Sequence, residues 1–381
     1  MDTHNPHHSG RRAFLKSTAV VGFVLGGGFA ARVAPAATGR HDIKPISFDR
    51  CVAMTPQEIA EASPLVRESW AYLRETAGSI QNAELRRQVL DILDNPAPTL
   101  AKNLDQEAAS RALSKAGLRV AAAQTPLLPP TADPQRAPQP FRSAPGSGWQ
   151  SHHAYPGGLV THVAMNVRST QGLLRDYQET FGFTPDKDVA LAAQLLHDLH
   201  KPWVFQWRKD GACRTEQPLA ATGEHHVLSV AESITRKIPA PVVVAQACAH
   251  THPGTAKDEA QVVGWIKAAA LLAGVDPVRA DLLAPGGETL PLPRRTEGFL
   301  VHLGDHDFVL SVPAAQWVTP VLRALAEKKY GLKGADLDGL PGNNFRNYVF
   351  AQLSAMRLYG ALTVGGPAAV AELAASAVRP A

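Results

Sequence analysis

The chain has 381 residues, 45% hydrophobic and 19% charged, with a formal net charge of +4. That length and balance allow one large or two modest cored domains and exclude a fibrous or wholly disordered protein. Its 30 glycines and 30 prolines gather in the N-terminal tail, a linker and the region after 284 without a period, so no repeat architecture is expected.

Residues 1–36 read as a targeting segment. Paired Arg11 and Arg12, then Phe14, Leu15 and Lys16, lead into a Gly-rich apolar stretch with a small-residue exit at Ala34-Pro35-Ala36. This resembles a twin-arginine export signal, which implies export of the folded protein by the twin-arginine machinery to the periplasm or beyond. A permanent anchor helix fits less well, because the stretch is short and rich in glycine. Cleavage would remove Arg11, Arg12, Lys16, Arg32 and Asp2, taking the net charge from +4 to about +1, so no nucleic-acid partner is expected. No other run of about eighteen apolar residues is evident, so no stable membrane span is expected after cleavage. Cys51, Cys213 and Cys248 do not form a disulfide framework, although an oxidising compartment would permit one bridge.

Residues 37–124 predict a small helical region after an irregular start. Thr55, Pro56 and Glu58 form an N-terminal helix signal, and Leu85, Val89, Leu90 and Leu93 share one face of a later amphipathic helix. Residues 125–148 are too rich in proline for a helix and too poor in apolar residues for a strand; they form either a plain linker or a segment packed across the next domain.

Residues 149–284 show sustained helical periodicity with almost no strand alternation, the pattern of an all-α domain. A helix starts after the turn signal Pro156-Gly157-Gly158 and carries His162. Another, DVALAAQLLHDLHK, buries one apolar face and ends in His197-Asp198. An extended excursion turning at Lys209-Asp210-Gly211 precedes three further helices. Nine of the fifteen histidines fall between 151 and 252. Imidazole and carboxylate are both normal donors to first-row divalent ions, so the cluster reads as a metal site. After Pro285 the expectation is a small α+β region, 285–381, with a β-hairpin around Gly304-Asp305 followed by helices. His306-Asp307 repeats the earlier dipeptide but falls in the expected turn, and is read as unrelated to the site. The overall expectation is a mainly α fold.

His162, His197-Asp198, His226, His250 and a late acidic residue, taken in order, resemble the ligand set of the HD-domain metal-dependent phosphohydrolase family. The resemblance covers 151 to about 281. It implies a helical bundle holding one or two divalent ions (Mn, Fe, Mg, Ni, Co or Zn). His162, His197, Asp198, His226 and His250 would be ligands, with His252 a further one and Asp276, or behind it Asp281, closing the set. Asp198 would bridge ions or orient the nucleophile. Lys201 and His200 would neutralise phosphate charge or move a proton, and His152, His153 and His225 would face substrate. His200 departs from the family pattern, where glycine is usual, and Thr251 splits a common His-His pair. The implied reaction is hydrolysis of a small phosphomonoester or phosphodiester, nucleotide-like, by metal-activated water. A di-iron oxygenase and a non-catalytic metal-binding protein are the alternatives.

Overall fold

The computed structural model describes residues 42–119, 125–293 and 296–380. The export-like segment therefore lies outside the described residues. The described residues form one compact unit, and the fold is mainly α.

A two-residue strand, β1 (Ile46–Ser47), leads into α1 (Phe48–Ala53), α2 (Pro56–Ala62), α3 (Pro64–Gly78), α4 (Ala83–Asp94) and α5 (Gln106–Lys115). Thr55 and Glu58 close a reciprocal capping box at the start of α2, each satisfying a backbone N–H that the first helical turn leaves free. Residues 125–148 contain a single 3-10 turn, Phe141–Ser143. They nevertheless pack as structure, since Leu127, Leu128, Phe141 and Ala144 are buried.

The central helices are α6 (Gly158–Phe181), α7 (Lys187–Leu196), the short α8 (Lys201–Val204), α9 (Glu224–Thr235), α10 (Ala240–Ala247) and α11 (Ala256–Ala273). Between α8 and α9 a small antiparallel hairpin pairs β2 (Pro218–Leu219) with β3 (Thr222–Gly223). Gly157 opens α6 at φ +84°, a left-handed conformation that favours glycine. The chain closes with α12 (Glu297–Gly304), α13 (Phe308–Tyr330), α14 (Leu340–Ala377) and β4 (Val378–Arg379), which pairs in parallel with β1.

Two apolar clusters organise these elements. The larger runs from Ala60 through α3–α11 to Val301 of α12. The second joins α1, Ile59, Tyr155, α13 and α14. The turn from α12 to α13 passes from one cluster to the other.

The expected hairpin over 297–313 is corrected to α12 and α13. Gly304 is a packing position on a helix. A methyl group there would collide with Thr170 Oγ1 and come within 2.7 Å of Gln194 Oε1. The expectation of no further apolar span was also too strong. The stretches Glu297–Tyr330 and Gly334–Ala377 meet a membrane helix's length and composition, though Asp305–Asp307 interrupts the first, and Ser354 and Gly366 break the helical backbone of the second.

Candidate metal centre

Four side chains meet at the centre of the bundle. His162 projects from the first turns of α6, His197 caps the C-terminus of α7, Asp198 comes next in the chain, and Asp305 caps the C-terminus of α12. His162 Nε2 lies 3.1 Å from Asp198 Oδ2 and 3.2 Å from Asp305 Oδ1. His197 Nε2 lies 3.1 and 3.3 Å from the same two oxygens. His197 Nδ1 donates to the Gln194 carbonyl at 2.7 Å, which fixes the tautomer and leaves the Nε2 lone pair facing the carboxylates. Asn166, one turn after His162, donates to Asp305 Oδ1 at 2.7 Å.

Such a convergence of lone pairs and carboxylates is repulsive unless positive charge enters it. Burial opposes an imidazolium at His197, yet Asp198 and Asp305 raise its pKa to about 9. His162 is likewise raised well above its ordinary value by Asp198, Asp305 and Asp307, against burial and Lys201. Burial works against both carboxylates, but His197, with Lys201 at Asp198 and His162 at Asp305, holds them well below the usual range. A divalent cation can take the place of those protons, so the donor set fits a metal.

A second group shares Asp198. Its Oδ1 lies 3.5 Å from His225 Nε2, and His250 completes a trio whose ligand atoms lie within 4.8 Å of one another. His225 Nδ1 donates to Glu216 Oε2 at 2.5 Å, and His250 Nδ1 lies 3.0 Å from Thr222 Oγ1 of the hairpin. Both oxygens of Asp198 and His225 Nε2 are buried without a well-directed hydrogen bond, although Lys201 Nζ forms an ion pair with Asp198 Oδ2 at 2.5 Å. Buried orphans of this kind call for a ligand.

A third group, His152, His153 and Asp307, adjoins His162 from the opposite edge of its ring. His162 Nδ1 donates to Asp307 Oδ1 at 3.1 Å, His153 Nε2 lies 3.6 Å from Asp307 Oδ2, and His152 Nδ1 and His153 Nδ1 are 3.2 Å apart. Burial keeps His153 neutral, with its pKa lowered to about 4, and holds His152 well below its ordinary value.

The structure thus brings together His162, His197, Asp198, His250, Lys201, His152, His153 and His225 among the expected residues, and separates others. His226 turns away from Asp198; its Nε2 donates to the Ala247 carbonyl at 3.1 Å. One residue on a helix rotates a side chain by about 100°, so His225 takes the place beside Asp198 that was expected of His226. His200 faces Glu232, 3.3 Å away, and not the Asp198–Asp305 group. His252 stacks on Phe299 and caps Gly254 N. Asp276 is exposed and accepts from Val278 and Arg279 N–H within its own turn, and Asp281 is exposed too. The acid that closes the group is Asp305, and His306-Asp307, read as unrelated, places Asp307 against His162. Asn166 was missed although its i+4 spacing from His162 was a usable signal.

No family model matches the chain, and no solved structure matches it. Over 179 residues it is 26% identical to a dihydroneopterin 2',3'-cyclic phosphate phosphodiesterase of Methanocaldococcus jannaschii, covering 47% of this chain and 58% of that protein. The chain thus spans a little over half the length of this distant relative, itself an enzyme of phosphodiester cleavage.

Proposed function

We propose that this chain is an HD-type metal-dependent phosphoester hydrolase acting on a small, nucleotide-like phosphodiester, and that residues 1–36 direct its export. The observation that carries the reading is the convergence of His162 Nε2, His197 Nε2, Asp198 Oδ2 and Asp305 Oδ1 within 3.1–3.3 Å. The cyclic-phosphate phosphodiesterase among its relatives supports the reaction class.

A divalent ion held there supplies Lewis acidity to a phosphoryl oxygen and lowers the pKa of coordinated water. Asp198 directs one oxygen to His162 and His197 and the other to His225, so one carboxylate serves both ligand groups. Lys201 Nζ, held by the Gly146 carbonyl at 2.5 Å, fixes Asp198 and adds positive charge for a phosphate. His152 and His153, neutral at the edge of the group, hydrogen-bond the substrate's phosphoryl or leaving oxygen. The shared Asp198 also suits a di-iron redox pair, which electron paramagnetic resonance with metal analysis would reveal.

The test is elemental analysis of the purified protein together with turnover of a 2′,3′-cyclic nucleotide and a generic aryl phosphodiester. Loss of both metal and turnover in Asp198→Ala and Asp305→Ala is expected; full turnover in both variants overturns the proposal. Export is tested separately by fractionating cells that express Arg11→Lys, Arg12→Lys protein, which should stay in the cytoplasm.

A further inference from the structure

Arg346, in the second turn of α14, is a buried cation without a counter-ion among the described residues. It is 7% exposed. Nη2 donates to the Ala154 carbonyl at 3.2 Å and to Asn347 Oδ1 at 3.1 Å, and the guanidinium stacks 3.6 Å from the Trp149 ring centroid. Nε has no partner. Burial lowers its pKa to about 9, and no described carboxylate offsets this. An unpaired buried charge is costly, which makes the missing partner conspicuous.

Arg346 lines a cavity of about 140 Å³ together with Trp149, Gln150, Arg323, Asn343 and Phe345. The first turn of α14 borders the same space and has no side-chain cap at Gly339. Pro341 has no N–H and Asn343 N–H donates to the Gly339 carbonyl at 3.0 Å, so the Gly342 N–H, with the helix dipole behind it, is what favours an anion there. Asp338 also lines the cavity, but its carboxylate is neutralised by Arg323, whose Nη2 donates to Oδ2 at 2.9 Å. Arg346 is therefore the cation left to meet a ligand. None of the cavity's lining residues belongs to the three metal-ligand groups.

We propose that this cavity is an oxyanion site, binding a tetrahedral anion of the phosphate class, free or as the head of a small phosphomonoester, through the Arg346 guanidinium and the N-terminus of α14. A guanidinium fork matches such an anion better than chloride. The site is independent of the metal-centre reading. Because the same guanidinium holds Trp149 and Ala154, its occupant would be felt by the segment that carries His152 and His153.

The experiment is isothermal titration of the full chain with inorganic phosphate, glycerol 3-phosphate and chloride, with and without Asp198→Ala. One saturable event for phosphate or the monoester should survive Asp198→Ala. Arg346→Gln should weaken it by about tenfold or more, the loss of one charge-assisted contact, and Ala326→Leu, which fills the cavity with Arg346 still in place, should weaken it at least as much by excluding the anion. Whichever of the two anions binds tighter identifies the source. The proposal is overturned if every saturable event disappears with Asp198→Ala, if binding is unchanged in the Ala326→Leu protein, or if chloride binds as tightly as phosphate.

Discussion

Asp307 Oδ1 lies 3.1 Å from His162 Nδ1, opposite the ring nitrogen that faces Asp198 and Asp305. A carboxylate behind a ligating imidazole fixes its tautomer and raises its basicity, and removing it lowers metal affinity by roughly tenfold to a hundredfold. Asp307→Asn should therefore retain metal with weakened affinity, while Asp305→Ala should lose it. Metal content after dialysis against a buffered chelator distinguishes the two. Equal retention in Asp307→Asn and the parent protein would refute this role.

Metal binding should release protons. Without a cation His197 has its pKa raised to about 9 and His162 is raised as well, so both are protonated at neutral pH and must become neutral to ligate. About two protons should leave on binding, and affinity should rise with pH at least up to about 9, where His197 becomes neutral. Titration calorimetry in buffers of different ionisation enthalpy counts them. A pH-independent affinity between 6 and about 8 would contradict the geometry.

His200 should matter for stability and not for turnover. Its partner Glu232 accepts from Thr99 Oγ1 at 2.6 Å, from Thr99 and Leu100 N–H at 3.1 and 2.9 Å, and from Arg236 Nε at 2.6 Å, tying α9 to the segment after α4. His200→Ala should leave kcat/KM unchanged and lower the melting temperature. Glu232→Ala, which strands Arg236 and two backbone donors, should cost about 3–5 kcal/mol in chemical denaturation. Loss of turnover in a folded His200→Ala protein would return that histidine to the chemistry.

The same carboxylate predicts an acid limb of stability. Burial pushes the Glu232 pKa up, but His200 and Arg236 outweigh it and bring it to about 2 from 4.5. A depressed folded-state pKa stabilises fully above the unfolded value and is lost as pH falls through the folded one, here between about 4.5 and 2. The contribution is about 3 kcal/mol at neutral pH. Glu232→Gln should flatten the stability profile across that window, and an unchanged slope would count against the pairing.

Gly304→Ala tests the packing of α12 on α6. The added methyl has no room beside Thr170 and Gln194, so overpacking should cost about 1–3 kcal/mol and displace Asp305, the next residue. Denaturation midpoint and metal retention should fall together. A neutral substitution would mean that α12 approaches α6 less closely.

Much of this molecule was legible because helical periodicity and histidine placement are local signals. The helix with His162, the helix ending at His197-Asp198 and the Thr55–Glu58 capping box all follow from short-range pattern. The choice between His225 and His226 was not local: both lie on α9, and only the position of α10, whose Ala247 carbonyl engages His226, decides which one turns to Asp198. Asp305 is not legible locally, because it lies beyond the 149–284 stretch of sustained helical periodicity and because Gly304 beside alternating apolar residues imitates a hairpin turn. Its real reason for being glycine is the proximity of α6, a tertiary fact.

The step of the chain from α12 to α13 carries both Asp305 and Asp307 across the boundary between the two apolar clusters. The first ligand appears at position 162 and the closing acid 143 residues later, so no early folding intermediate can assemble the full donor set. An ion that requires Asp305 is retained only once the C-terminal helices have docked. If the proposed ion binds there, its occupancy would fasten the two cores together, and a chain cut before residue 305 should lose the ion and the register of its remaining ligands together.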